Sequence, residues 1–222
     1  EYLRMKSDDE LTDLFIPILE EHGINVVECP KCALTAGAKF AGKGVDFSKH
    51  IVTKEYVHDV VAFVKERASF VKDIWLNASC LFVSPVEYEK FGVKAGAAAE
   101  AAKPADPRRA ADPRAKVFDD SLTAPFLAKD ADKFWKPEGY LPAYQAADHV
   151  CGYDGAFTKE NIEPYLEDYI REHGWPMGKV MNCIRLAITG AASGLGIADI
   201  LSFIGKEEFA ARMDYAGERL GR

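Results

Sequence analysis

Apolar residues recur at three- and four-residue spacing along most of the chain, and this pattern constrains the fold more than any other. Such spacing gives each helix one apolar stripe that faces a shared core. The clearest stripe follows Thr53, a helix-capping residue, and predicts one long helix with inward residues Val57, Val60, Val61, Val64, Ala68, Val71, Ile74 and Trp75. No stretch alternates convincingly as a half-buried strand does. The sequence therefore predicts a mainly α protein.

Local signals set several boundaries in the first half. Ser7-Asp8-Asp9-Glu10 fits a capping box, so a helix is expected to begin there and to end at Gly23. The stretch from Asn25 to Lys49 has three glycines and weak periodicity, and it is predicted to be irregular with at most one short helix. The run from Leu81 to Val83, before Pro85, predicts a short buried turn.

A change of composition divides the chain. The segment from Gly92 to Lys116 is rich in alanine, has three prolines and few large apolar residues, and is expected to be a linker or insertion. The predicted units are helical subdomains at 1–92 and 118–222, with 93–117 between them. Helices in the second are expected at Ser121 to Ala128, Gln145 to Gly152, from Thr158 onward, Gly178 to Ile188, Ile197 to Ile204, and Lys206 to Leu220.

Charge is unevenly distributed. The net charge of -7 does not favour binding of nucleic acid by the protein surface as a whole. The segment from Lys90 to Lys116, however, contains seven basic residues and only three acidic ones. Such a basic stripe can bind a phosphate backbone. No apolar run is long enough for a membrane span. The chain begins at Glu1 without methionine, so we expect it to be a piece of a longer protein.

The five cysteines suggest a reducing compartment. An odd number without a signal peptide argues against a disulfide framework, so the expected location is the cytoplasm. Cys29 and Cys32 form a single C-x-x-C pair, whereas a structural zinc site needs four ligands. The other cysteines are isolated in sequence. We therefore expect no metal, although the sequence leaves zinc at Cys29 and Cys32 open.

The string from Thr189 to Ala198 has two readings. TGAASGLGIA resembles the T-G-x-x-x-G-[IL]-G fingerprint of short-chain dehydrogenases, in which glycines let the backbone approach a pyrophosphate. That motif should follow a first strand and open a doubly wound domain, yet only residues 197–222 come after it. An NAD(P)-dependent oxidoreductase fragment is therefore an alternative, and a helical protein-interaction module is another.

Several strings, taken in order, resemble the C-terminal half of bacterial-type glutamyl-tRNA synthetases. The most specific is GKVMNCIRLAITG, which is similar to that family's G-x-x-x-x-P-L-R-x-A-L-T-G block and is followed by ILSFIGKEE. The likeness covers nearly the whole chain except the Ala/Pro segment. The strings that carry it begin at Glu1 (EYLRM), Val64 (VKERASF), Phe82 (FVSPVEY), Gly178 and Ile200.

The resemblance implies a two-part helical cage that grips the anticodon stem-loop of tRNA(Glu). Arg67 falls where the family can carry an arginine that reads the last anticodon base, although its charge alone favours a solvated helix face. The other positions that the resemblance assigns to base recognition are Arg185, Thr189, Gly194, Leu195 and Ile197. Cys183 and Ile184 replace the family's Pro-Leu, and we expect them to loosen that turn of the helix.

The resemblance also implies what this chain does not contain. No H-I-G-H-like or K-M-S-K-S-like string occurs, so we expect no catalytic residues here. The ATP, Mg²⁺ and glutamate sites of the parent enzyme would lie in its N-terminal core, and no cofactor is expected in this region. The expected partner is tRNA, with no DNA and no membrane, and the expected state is a monomer.

Overall fold

The structure is a computed structural model that describes residues 2–31, 39–40, 43–88, 90–91, 93 and 126–221. Helices dominate it, which confirms the mainly α prediction. Among these residues, no helix combines the length and the apolar character needed to cross a bilayer. The α-helices that can be bounded within the described residues are α1 (Tyr2–Met5), α2 (Asp8–Glu21), α3 (Lys54–Val64), α4 (Val71–Ala78), α5 (Ala128–Phe134), α6 (Pro137–Cys151), α7 (Lys159–Glu172), α8 (Met177–Thr189) and α9 (Ile197–Leu220).

The predicted capping box at the start of α2 is present. The Glu10 backbone N–H donates to Ser7 Oγ at 3.1 Å, and the Ser7 N–H donates to the Glu10 carboxylate at 3.1 Å. These bonds satisfy donors that a helix start leaves unpaired. The helix buries Leu11, Phe15 and Leu19 and ends just before Gly23, as predicted.

A small sheet replaces part of the segment predicted to be irregular. Its strands are β1 (Asn25–Val27), β2 (Val45–Asp46) and β3 (Ile51–Thr53), in the order β1-β3-β2. β1 pairs with β3 in parallel, Val26 opposite Val52, and β2 pairs with β3 antiparallel. The prediction was wrong here because strands of two or three residues are too short to show alternation.

The long helix predicted after Thr53 is broken. Thr53 caps α3 as expected, but α3 ends at Val64, a 3-10 turn follows at Lys65–Arg67, and α4 begins at Val71. The break is stabilised by Asp73, whose carboxylate accepts from the backbone N–H groups of Ser69 and Phe70 at 3.1 and 2.8 Å. The predicted apolar stripe is largely buried despite the break, because α3 and α4 each turn their own part of it toward the core.

Helices of the second half largely match their predictions. α6 begins at Pro137, well before the predicted Gln145, and α8 matches closely. The helix predicted at Ser121 to Ala128 is wrong at residues 126–127, which are not helical, while 121–125 lie outside the described residues. Cys183 and Ile184 are buried within an uninterrupted α8, so the expected loosening is not observed.

One apolar core runs through the described residues on both sides of the Ala/Pro segment. Phe15, Tyr56 and Phe82 from the first half belong to the same buried cluster as Leu186 and Phe209 from the second. Residues 94–125 lie outside the described part of the chain, so the proposed subdomain boundary at 93–117 and the basic stripe remain predictions.

Candidate nucleic-acid interface

The C-terminal end of α8 leads directly into the glycine-rich turn. Gly190 has a positive φ of 79°, and its N–H donates to the Leu186 carbonyl at 2.8 Å, which closes the helix. The Thr189 hydroxyl lies 2.8 Å from the Arg185 carbonyl and 2.9 Å from the Ala191 carbonyl, within donating distance of both. Thr189 and Gly190 therefore end a helix, whereas a dinucleotide loop would follow a strand.

Neighbouring elements hold the turn in place. The Leu127 N–H donates to the Gly190 carbonyl at 2.7 Å, and the Ala192 N–H donates to the Asp130 carboxylate at 2.9 Å. From the first half of the chain, the Tyr88 hydroxyl donates to the Thr189 carbonyl at 3.1 Å. These bonds fix the turn before any ligand arrives, which lowers the entropic cost of binding one.

The tip of the turn is open. Ser193 and Gly194 are exposed, Gly194 has a φ of 138°, and a Cβ placed on it would meet no atom within 4 Å. Glycine adopts that conformation without strain and leaves its backbone groups accessible. Leu195 and Ile197 differ, since these residues are only 3% and 2% exposed. They are core residues that offer almost no surface to a ligand.

Arg185 lies one helical turn before Thr189, behind the glycine-rich turn. Its side chain is half-buried, and Nη1 donates to the Ala192 carbonyl at 3.4 Å. Nε is buried without a hydrogen-bond partner, and no carboxylate of a described residue lies within 4 Å of the guanidinium. Burial lowers the pKa of Arg185. Most donors of this guanidinium are therefore not used by the residues that the structure describes.

The first half of α9, residues 197–204, runs from this turn toward the region of Arg67. The Asp199 carboxylate lies against Gly196 and accepts from Lys159 Nζ at 2.9 Å. Farther along α9, the Phe203 ring lies 5.6 Å from the Phe63 ring, and the exposed Arg67 guanidinium lies 5.9 Å from Phe63. The turn and Phe203 are thus separated by about 9 Å of helix.

The structure therefore brings Arg185, Thr189 and Gly194 close together. Arg67 lies apart from them, beside the Phe63 ring that packs against Phe203. A buried residue that the sequence did not single out joins the end of α8 to the first half of the chain: Arg212 donates to the Ile188 carbonyl at 2.7 Å and to the Cys80 carbonyl at 2.8 Å. Its only sequence signal is Glu208 four residues earlier, a spacing shared by many exposed ion pairs.

The described cysteines do not assemble a metal centre. No group of three or more potential ligands occurs among the described residues, and Cys32 lies outside them. Burial raises the pKa of the Cys80 and Cys183 thiols to about 11, which disfavours the thiolate that binds metals. Zinc at Cys29 and Cys32 stays an untested alternative.

This helical fold, with an open turn at the end of α8, is that of an anticodon-binding domain: the family model described as an anticodon binding domain matches residues 110–217. The chain is 31% identical to the glutamate–tRNA ligase of Bacteroides fragilis over 219 residues, and 29% identical to that of Bacteroides thetaiotaomicron over 220. Each alignment covers 99% of this chain. The chain spans about 30% of the length of these relatives.

Solved structures show the same fold. A glutamate tRNA ligase from Elizabethkingia meningosepticum superposes with a TM-score of 0.63 at 22% identity, over 99% of this chain and 30% of that one. A glutamate-tRNA synthetase from Elizabethkingia anophelis gives 0.54 at 20% identity, over 98% and 30%. The chain belongs to the glutamyl-tRNA synthetase family and corresponds to its C-terminal anticodon-binding region. The comparisons give no support to the oxidoreductase alternative.

Proposed function

We propose that this chain binds the anticodon stem-loop of tRNA(Glu) and positions the tRNA for ATP-dependent glutamylation by a catalytic core outside these residues. The observation that carries the proposal is the Arg185 guanidinium, which lies behind the exposed turn at Gly194 without an acidic partner among the described residues. The family membership gives this arrangement a partner, because the relatives it matches are named as glutamate–tRNA ligases.

RNA chemistry suits these groups. Unpaired bases of a loop can be splayed out and read along their edges, or stacked on a guanidinium. Arginine offers a planar fork of donors for a base edge or a phosphate. In this proposal Arg185 and the backbone at Gly194 contact anticodon bases, and Thr189 holds the helix end that carries Arg185. Leu195 and Ile197 shape the turn from within the core.

Arg67 is proposed to contact the last anticodon base. It lies in the turn after α3, near the point where Phe63 packs against Phe203 of α9. ATP and Mg²⁺ would act in the catalytic core, so tRNA binding by this chain should need neither. The proposal also implies a monomer that works in the cytoplasm.

The direct test is a titration of the 222-residue chain with tRNA(Glu) transcripts at one fixed salt concentration. One transcript carries the cognate anticodon, and the others carry single replacements of each anticodon base. We expect the cognate transcript to bind about tenfold or more tightly than the replacements, as base-edge contacts give. Equal binding of all transcripts would leave only non-specific attraction and would contradict the proposal.

A further inference from the structure

Two cationic side chains lie over a pair of packed phenylalanine rings, one of which belongs to the first half of α9. Lys43 Nζ lies 5.1 Å from the centre of the Phe203 ring, and the Arg67 guanidinium lies 5.9 Å from that of Phe63. The two rings pack against each other with their centres 5.6 Å apart. Lys43 belongs to the turn before β2, whereas Phe63 and Phe203 belong to α3 and α9.

Both cations are available to a ligand. The side chains of Lys43 and Arg67 are exposed, and no carboxylate of a described residue lies within 4 Å of either charge. Some lysines of the described chain are ion-paired instead, such as Lys54 with Asp13 at 2.8 Å. A cation held over an aromatic face keeps its full charge and loses little freedom on binding.

The first half of α9 links the pair to the glycine-rich turn. Phe203 lies one and a half helical turns after Ile197, where α9 leaves that turn. Lys43 also lies near the start of α7: the pKa of Glu160 is lowered first by its own backbone N–H and the Thr158 hydroxyl, and Lys43 contributes to the same shift. The two cations therefore lie at the end of the first half of α9 that is farther from the glycine-rich turn.

The Phe203 ring leaves little room for base stacking. Phe203 is only 6% exposed, because Lys43, Phe63 and Tyr56 surround it. Its ring can therefore hold a cation in place but offers little face to a base. The Lys43 ammonium, a point charge on a flexible side chain, suits a phosphate. The guanidinium of Arg67 can bind a phosphate or donate hydrogen bonds to a base edge.

We infer that Lys43 binds a backbone phosphate of the tRNA anticodon loop, next to the base contacted by Arg67, and that Phe63 and Phe203 position both cations. This inference rests on the proposed function. The occupant is single-stranded RNA because two cations held on one packed aromatic pair match the repeating charge of a nucleic-acid backbone. Lys43 acts on every tRNA alike, since phosphates carry no sequence information.

The test measures the affinity of the chain for tRNA(Glu) transcript over a range of salt concentrations. Lys43→Met is expected to weaken binding on the order of five-fold at low salt and to lower the steepness of log K against log salt by about 0.7. Lys43→Arg should restore affinity to within about twofold. Phe63→Leu, which keeps every charge, should weaken binding to an intermediate degree.

Lys54→Met is the matched control, since it removes the same charge at the opposite end of α3, about 13 Å along the helix from Phe63. If Lys43→Met and Lys54→Met have the same affinity and salt dependence, or if Lys43→Met affects only some anticodon variants, the inference is wrong. An unchanged Phe63→Leu would overturn the positioning role. If the unmodified chain binds no tRNA, the proposed function fails as well.

Discussion

Arg212 is the largest fully buried side chain among the described residues. Desolvation opposes its charge, but Glu208 accepts from Nε at 2.7 Å, and the net shift of the Arg212 pKa is upward. Its two other nitrogens donate to the carbonyls of Cys80, Ile188 and Val83. One side chain therefore joins α9, the end of α8 and the turn at 79–83.

Loss of Arg212 should destabilise the whole fold. Arg212→Met would leave Glu208 and three carbonyls short of donors, and we expect the free energy of unfolding to fall by about 3–5 kcal/mol. Urea denaturation followed by circular dichroism measures it. Arg219→Met, at an exposed position of the same helix, should change stability by less than about 0.5 kcal/mol. A value for Arg212→Met close to that of Arg219→Met would show that the buried network contributes little.

At the scale of elements, α9 is two helices joined at Gly205. This residue has φ 78° and ψ 171°, a conformation that side-chain-bearing residues seldom adopt. The first half, up to Ile204, carries Phe203 and begins at the glycine-rich turn. The second half carries Arg212 into the core. The kink lets one continuous stretch serve the candidate surface and the central network together.

Gly205→Ala should therefore be costly. We expect it to lower the free energy of unfolding by about 1–3 kcal/mol, because alanine is strained at that backbone conformation. Gly178→Ala provides the comparison, since Gly178 is exposed, helical and has nothing within 4 Å of an added Cβ. That control should be neutral or slightly stabilising, within about 1 kcal/mol. Equal urea midpoints for the two variants would argue against strain at the kink.

Element boundaries show what local sequence can specify. The start of α2 follows from Ser7 and Glu10, and the interruption of α9 follows from Gly205, because each depends on residues that are neighbours in sequence. The break after Val64 was missed because the apolar stripe continues through it, and only the bonds of Asp73 stop the helix. The sheet was missed because Val26 and Val52, distant in sequence, pair across it.

Across the whole molecule, the candidate site was only partly predictable. Arg185 and the turn at Gly194 follow from the family resemblance, and the structure places them together at the end of α8. The burial of Leu195 and Ile197 was not evident, since a glycine-rich string reads as an exposed loop. Lys43 carried no sequence signal at all, because its place over Phe203 depends on the packing of distant segments.

We propose that Arg185 reads anticodon bases, and a comparison of Arg185→Ala with the unmodified chain tests this role most directly. Affinities for the cognate tRNA(Glu) transcript and for single-base anticodon replacements would be measured at one salt concentration. Lys179→Ala, an exposed charge on α8, is the control. We predict that Arg185→Ala lowers the preference for the cognate anticodon by about 5- to 100-fold, while Lys179→Ala leaves it unchanged. An equal loss of affinity across every transcript would contradict base reading by Arg185.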